Sequence, residues 1–222
     1  MSVTEFGRPA VAVAATGATA GAAYNTAVDE LISKIKDESD TVRTDAWRSA
    51  GDVGAAAVAP LAALTANDAI EVARAAKRAL WQVVRQAGRP AADAERNAVI
   101  AELIPLLADG QPMPVRREVL WMLSEIAGGE SVEPIASMLS NNQLREDARM
   151  ALERIPGEAS LDALEAALEA APDDFKLNLA QSLRQRGLEV PGLPCAKLTP
   201  AKQTEVTPWT PADAESETAA KG

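Results

Sequence analysis

The chain has 222 residues, no histidine, a single cysteine and a formal charge of −10 from 32 acidic and 22 basic side chains. The missing histidine removes imidazole acid–base catalysis, Ser-His-Asp and Cys-His nucleophile systems and imidazole metal ligation; the lone Cys195 excludes an internal disulfide and a thiolate cluster by count. The acidic balance repels phosphate backbones and anionic lipid, so neither nucleic acid nor membrane is expected as a partner, and one thiol fits a reducing, cytoplasmic compartment.

Apolar residues make up 47% of the chain but aromatics only 3%. Alanine-rich helices approach closely and bury little area each, which suits a row of thin layers better than one thick core.

Residues 1–23 carry no sustained helical stripe, and their apolar run, PAVAVAATGATAGAA, is too short and too rich in small residues to span a bilayer. This stretch reads as a small-residue arm. From Tyr24 to Glu38, Val28, Leu31, Ile32 and Ile35 recur at helical spacing. This helix precedes a repeat array and is expected to cap its open end.

The array announces itself through one register. Val42, Val72, Val115, Leu144 and Phe175 are followed four residues later by Ala46, Ala76, Val119, Ala148 and Leu179, and eight residues later by Ala50, Leu80, Leu123, Leu152 and Leu183. Apolar residues at i, i+4 and i+8 form one helical stripe, and its return at intervals of 30, 43, 29 and 31 residues marks a helical repeat. Each anchor opens a helix A. Asp40, Asn142 and Asp173, two residues upstream, are expected as N-caps, and Pro114 suits a first helical turn. Gly51, Gly88, Gly128 and Gly187 fall where these helices should end.

A helix B follows in each complete unit. Val58-Ala-Pro60-Leu61, Val132-Glu-Pro134-Ile135 and Leu161-Asp-Ala163-Leu164 rhyme, and Leu103-Ile104-Pro105-Leu106 belongs with them. Pro105 lies about 14 residues later than its counterparts, which places an insertion within Ala87–Val99. This insertion either extends helix B or protrudes as a loop, and it brings Arg89 and Arg96, two candidate protein-binding residues.

The combination of Asp40-x-Val42-Arg43-x-x-Ala46, Val58-x-Pro60-Leu61, Val115-Arg116, Val132-x-Pro134-Ile135 and Leu144-Arg145-x-x-Ala148 resembles HEAT repeats, and most closely the short bacterial HEAT-like type of phycobilin-lyase-related proteins. The resemblance covers roughly Asp37 to Gly187. It implies an all-α, right-handed α-solenoid of about four helix pairs, with a capping helix before them and a last helix A after them. On the lyase side it implies handling of a tetrapyrrole for a client protein.

After Gly187 come Pro191, Pro194, Pro200, Pro208 and Pro211, which read as a Pro-rich tail over 188–222. Its large apolar residue, Trp209 in TPWTP, is a candidate docking anchor. Arg43, Arg116, Arg145 and Lys176 share a register and are expected to form a ladder in which each pairs with an acid or carbonyl of the next unit. Trp47, Trp81 and Trp121 do not form a column and are expected to pack in the core or half-buried. Glu133, Asp162, Glu165 and Glu169 on the B helices are expected to line the concave face, with Glu133 and Glu165 as protein-binding candidates. Their spacing is that of a solvated face, and no catalytic, metal or cofactor site is assigned. Cys195 has no imidazole to activate it and reads as a plain thiol.

These features point to a non-catalytic protein-binding scaffold, assembly factor or accessory subunit that docks on a larger protein complex. The alternative is a phycobilin-lyase-like enzyme or chaperone.

Overall fold

The computed structural model describes the backbone of residues 16–195 and the side chains of residues 26–195. The described residues are helical and arranged as a stack of helix pairs, an α-solenoid. The helices are α1 (Thr16–Ile35), α2 (Asp40–Ser49), α3 (Val58–Leu64), α4 (Ile70–Ala87), α5 (Asp93–Leu103), α6 (Met113–Ile126), α7 (Val132–Ala136), α8 (Arg145–Arg154), α9 (Glu158–Ala170) and α10 (Asp173–Gln185). Helices α2, α4, α6, α8 and α10 pack on one another in order as the A layer. Helices α3, α5, α7 and α9 form the B layer, and α1 covers the end of the stack against α2 and α3.

The predicted stripe is the core. All residues four and eight places after the anchors are at most 3% exposed, from Ala46 and Ala50 in α2 to Leu179 and Leu183 in α10. The anchors themselves divide. Val115, Leu144 and Phe175 are buried, whereas Val42 and Val72 are half-buried. Burying a large aliphatic side chain contributes about 1.5–3 kcal/mol, an alanine much less, so the Leu- and Phe-bearing units at the C-terminal end carry more of the apolar stabilisation per layer.

The capping helix begins at Thr16, eight residues ahead of the expected Tyr24, and so takes in the end of the segment read as an arm. Alanine-rich sequence needs no apolar stripe to be helical, because alanine has the highest helix propensity. Residues 1–15 of the arm lie outside the described residues.

One N-cap sits one residue upstream of its expected position, and the other two expected caps do not form. Ser39 caps α2, its Oγ accepting from the Val42 N–H at 3.5 Å, and Asp40 is the first helical residue. At α8 the N-cap is Leu144, which has no side-chain acceptor, and Asn141 shapes the preceding turn, its Oδ1 accepting from the Gln143 N–H at 2.9 Å. At Asp173 the residue before the helix is Pro172, which has no side-chain acceptor. Pro114 lies in the first turn of α6, as expected.

Of the four glycines, Gly88 is the expected C-cap of α4, its N–H reaching the Val84 carbonyl at 2.9 Å, and the expected cap of α10 forms at Gly187. Its φ is +92°, the Leu188 N–H reaches the Leu183 carbonyl at 3.0 Å and its own N–H reaches Arg184 at 3.0 Å, the paired bonds of a Schellman motif. Gly51 serves close packing instead. A Cβ there would lie 2.9 Å from Gln86 Cβ on α4.

The B helices are short where proline opens them, and 3-10 turns at Ala50–Ala57, Ile104–Leu107, Gly129–Ser131 and Ser137–Ser140 complete the layer. Pro60 and Pro134 occupy third positions of α3 and α7, where a missing N–H leaves no bond unmade. The insertion within Ala87–Val99 does not protrude as a loop of its own. It completes α4 and supplies the start of α5 across a tight turn in which Ala91 takes a φ of 61°.

After α10 the chain folds back. Leu188 and Val190 pack against the core, and the Arg184 guanidinium donates to the carbonyls of Val190 (3.2 Å) and Leu193. An extended segment therefore stands where a further helix B would begin. The tail from residue 196 onward, Trp209 included, lies outside the described residues.

Candidate docking surface

The two layers use their charged side chains differently. In the A layer, charges join neighbouring units. Glu118 on α6 accepts the Trp81 indole N–H from α4 at 2.5 Å and pairs with Lys77 at 2.6 Å. One unit on, Asp147 on α8 accepts the Trp121 indole N–H at 3.0 Å and pairs with Arg117 at 2.9 Å. Both acceptors stand three residues after their anchors. The tryptophans do not align in sequence, but their acceptors do, so a column of acids three after the anchor was the signal that sequence reading missed.

The same column holds Ala75 in α4. The preceding tryptophan, Trp47, has a buried indole N–H without an acceptor, and its ring is flanked by the guanidinia of Arg48 and Arg78 at 5.5 and 5.7 Å. Arg85 lies over Trp81 at 5.6 Å in the same manner. Of the two packings expected for the three tryptophans, core or half-buried, they adopt the half-buried one.

The C-terminal units are tied by a polar network. Arg149 donates to Glu146 (2.9 Å), Glu153 (3.1 Å) and Ser182 (2.5 Å), Ser182 donates to Glu153 at 2.6 Å, and Asn178 donates to Glu146. Arg186 reaches back from the end of α10 to the carbonyls of Leu152, Ile155 and Gly157 (3.2, 2.8 and 2.9 Å) and to Ser160 Oγ at 3.0 Å. It satisfies the carbonyls that α8 leaves unpaired where it ends.

The ladder expected of Arg43, Arg116, Arg145 and Lys176 is only partly a bridge to the next unit. Arg43 turns backwards to the carbonyls of Asp37 and Glu38, at 2.7 and 2.8 Å, after the end of α1. Arg116 is 4% exposed, pairs with Asp109 at 2.9 Å, and keeps an Nε without a partner. Lys176 pairs within its own helix with Asp173. Arg145 does reach the next unit, bonding Asp174 at 2.5 Å while stacking on Phe175 at 4.8 Å. Its hydrogen bond, aided by its charge and opposed by desolvation, holds the Asp174 carboxyl below the ordinary carboxylate range.

The B layer of the last two units is different. Glu133 on α7 and Glu158, Asp162, Glu165 and Glu169 on α9 are exposed, and none has a hydrogen-bond or ion-pair partner among the described residues. The four on α9 recur at i, i+4, i+7 and i+11, so they form one stripe. Between α7 and α9 runs a groove of about 500 Å³, lined mainly by apolar residues such as Ala136, Leu139, Ala163, Ala167 and Phe175, with Arg145 as its one charged lining side chain. Small side chains on both helices leave this trough unfilled.

The other candidates are dispersed. Arg89 pairs with Glu95 at 2.8 Å and bonds the Gln86 carbonyl at 2.7 Å, and Arg96 pairs with Asp93, so the insertion's cations are engaged within their own turn. Of the predicted candidates on described residues, Glu133 and Glu165 are exposed on α7 and α9 but do not line the groove between these helices, and Arg89 and Arg96 lie at the turn between α4 and α5 and in α5. The exposed Cys195 thiol lies 3.8 Å from Gln181 Oε1. Among the described residues no cluster of three or more Cys, Asp or Glu is placed to hold a metal ion, and no helix is long and apolar enough to cross a membrane.

No family model matches the chain, and no curated protein matches it. Among solved structures it is similar to a designed armadillo repeat protein in complex with the peptide (KR)4, at 18% identity and a TM-score of 0.41, over 77% of this chain and 84% of that one.

Proposed function

We propose that the protein is a non-catalytic binding scaffold, acting as an assembly factor or accessory subunit of a larger protein complex in the cytoplasm. One observation supports the reading: the B side of the last two units holds an open apolar groove, and exposed carboxylates of α7 and α9 outside it lack a partner among the described residues. A stack of thin units exposes more surface than a globule of equal mass, and that surface is rigid because each unit is fixed by its neighbours. The units have two helices each, which favours the HEAT type over the three-helix armadillo type.

The tail supplies a second means of attachment, with Trp209 as its anchor. The test is affinity capture from the native host with the full chain as bait, beside a chain ending at Cys195 and a Trp209→Ala variant. The reading expects a stoichiometric protein partner on the full chain and reduced recovery on both variants. If the full chain captures no stoichiometric protein, the scaffold reading fails. The phycobilin-lyase-like alternative is tested by co-expression with a bilin pathway; the scaffold reading expects a colourless protein, and a pigment that survives purification overturns it.

A further inference from the structure

Resting on the scaffold reading, we propose that the A-layer face of α2 and α4 binds an acidic segment of a partner protein, one glutamate or aspartate carboxylate accepting the Trp47 indole N–H while Arg48, Arg78 and Arg85 pair with the segment's charge.

The cations give the first half of the argument. Every other arginine with a described side chain has a hydrogen bond or an ion pair. Arg48, Arg78 and Arg85 are exposed, have neither among the described residues, and gather in one place. Arg48 and Arg78 lie 5.5 and 5.7 Å from the centre of the Trp47 ring, and Arg48 and Arg85 line one cavity of about 170 Å³ with Gln82 and Gln86. The acid in that cavity, Asp52, is exposed and bonds neither arginine. Three unneutralised guanidinia side by side run against the composition of a chain of net charge −10. Guanidinia bind carboxylates by strong, charge-assisted hydrogen bonds, so an acidic segment complements this face.

The stack itself shows what belongs beside the indole. Trp81 and Trp121 each donate their N–H to a carboxylate of the following unit, Glu118 and Asp147, and each carboxylate also pairs with a cation, Lys77 and Arg117. The Trp47 N–H is buried and has no acceptor, the corresponding position of the following unit is Ala75, and the cations are already in place. The first unit therefore repeats the arrangement without its acid. A buried donor without an acceptor is costly, so a carboxylate that reaches it gains more than surface attraction. Arg48 and Arg78 are exposed side chains whose rotation onto an incoming carboxylate uncovers the N–H. Both filled positions hold carboxylates, which favours a glutamate- or aspartate-bearing segment over a phosphate ester.

The probe is an acetylated octaglutamate peptide, titrated at physiological salt into the nitrogen-15-labelled full chain with its indole signals assigned by triple-resonance NMR. The chain's own negative charge repels this peptide, so general attraction does not imitate the site. The proposal expects the Trp47 indole proton to move downfield and saturate, while those of Trp81 and Trp121, already bonded, stay. It expects affinity to fall about tenfold or more in Arg48→Gln/Arg85→Gln. Lys36→Gln/Lys176→Gln removes the same charge elsewhere and is expected to bind within about threefold of the parent. Ala75→Glu supplies the acid from within the stack and is expected to move the Trp47 signal in the free chain and to abolish peptide binding. If Ala75→Glu does not fold, Asp52→Asn takes its place and is expected to tighten binding by about threefold.

An unmoved Trp47 signal, equal loss in the two double variants, or a larger Trp47 shift with an eight-residue oligothymidylate than with octaglutamate overturns the proposal. Unchanged binding in Ala75→Glu, or weaker binding in Asp52→Asn, does the same. So does binding that appears only in Asp213→Asn/Glu215→Gln/Glu217→Gln, which would make the chain's own tail the occupant. Native-host capture keeps the two readings separate. A stoichiometric partner that binds Arg48→Gln/Arg85→Gln as well as the parent leaves the scaffold reading intact and removes the α2–α4 site.

Discussion

The A layer and the last two units of the B layer are built from similar helices, yet they treat charge in opposite ways. On the A layer, Glu118 and Asp147 each take an indole N–H and a cation from the preceding unit, and Arg186 gathers the carbonyls at the end of α8. On α7 and α9, five exposed carboxylates have no partner among the described residues, and an apolar groove that they do not line stays open between the helices. The difference teaches where to look in a repeat protein. Contacts that recur from unit to unit hold the stack, and a run of charges without recurring partners is free to meet something else.

The largest effect should come from the A layer's last clamp. Arg186→Ala removes a half-buried guanidinium that serves several carbonyls and Ser160, and the unfolding free energy should fall by about 3 kcal/mol, with Lys restoring less than half. Urea denaturation followed by circular dichroism measures it. A neutral result would break the view that polar contacts on this layer join the units. Glu118→Ala should lower stability by about 1–1.5 kcal/mol, and a double-mutant cycle with Trp81→Phe should show positive coupling; additive effects would mean the indole bond contributes nothing.

Smaller effects probe the other face. Glu169→Arg replaces an acid with a cation at the C-terminal turn of α9 and relieves repulsion along the stripe. It should raise stability by about 0.5 kcal/mol at low salt and by nothing measurable at 1 M salt. The subtlest readout concerns Asp174. Its carboxyl pKa is depressed in the folded chain by the Arg145 bond. The contact therefore stabilises above the unfolded carboxylate pKa and is lost as pH falls through the folded value. In Arg145→Ala, NMR titration of Asp174 should return it upward to the ordinary carboxylate range, with a flatter acid limb in the urea midpoint; an unmoved titration would mean that the bond is absent in solution.

How much of this was legible in the sequence differs by element. The stripe at four and eight residues past each anchor named the core residue by residue, because burial in a repeat recurs with the helix. The Pro60 and Pro134 patterns located the B helices for the same reason. Caps were less legible: Ser39 displaces Asp40 by one residue, and α8 and α10 start after Leu144 and Pro172 with no side-chain cap. The Arg register was read as one repeated contact, but Arg43, Arg116 and Arg145 each found a different partner, because the unit next to each differs in length or position in the stack. The groove was not legible at all. It arises from small residues on two helices that are distant in sequence, and only their packing puts Ala136 opposite Ala163 and Ala167. Glu133 and Glu165 were named as binding candidates for their exposure alone; that they lack partners among the described residues, while Glu118 and Asp147 have them, is a fact of the folded chain.

The division between the layers is tested most directly by urea midpoints of two alanine variants of the free protein, one at Glu118, Asp147 and Glu153, the other at Glu133, Glu165 and Glu169. The account predicts that the first set loses at least about 2 kcal/mol, while the second unfolds at the parental midpoint or above it. A second set that unfolds earlier than the parent, or a first set that does not, would contradict it.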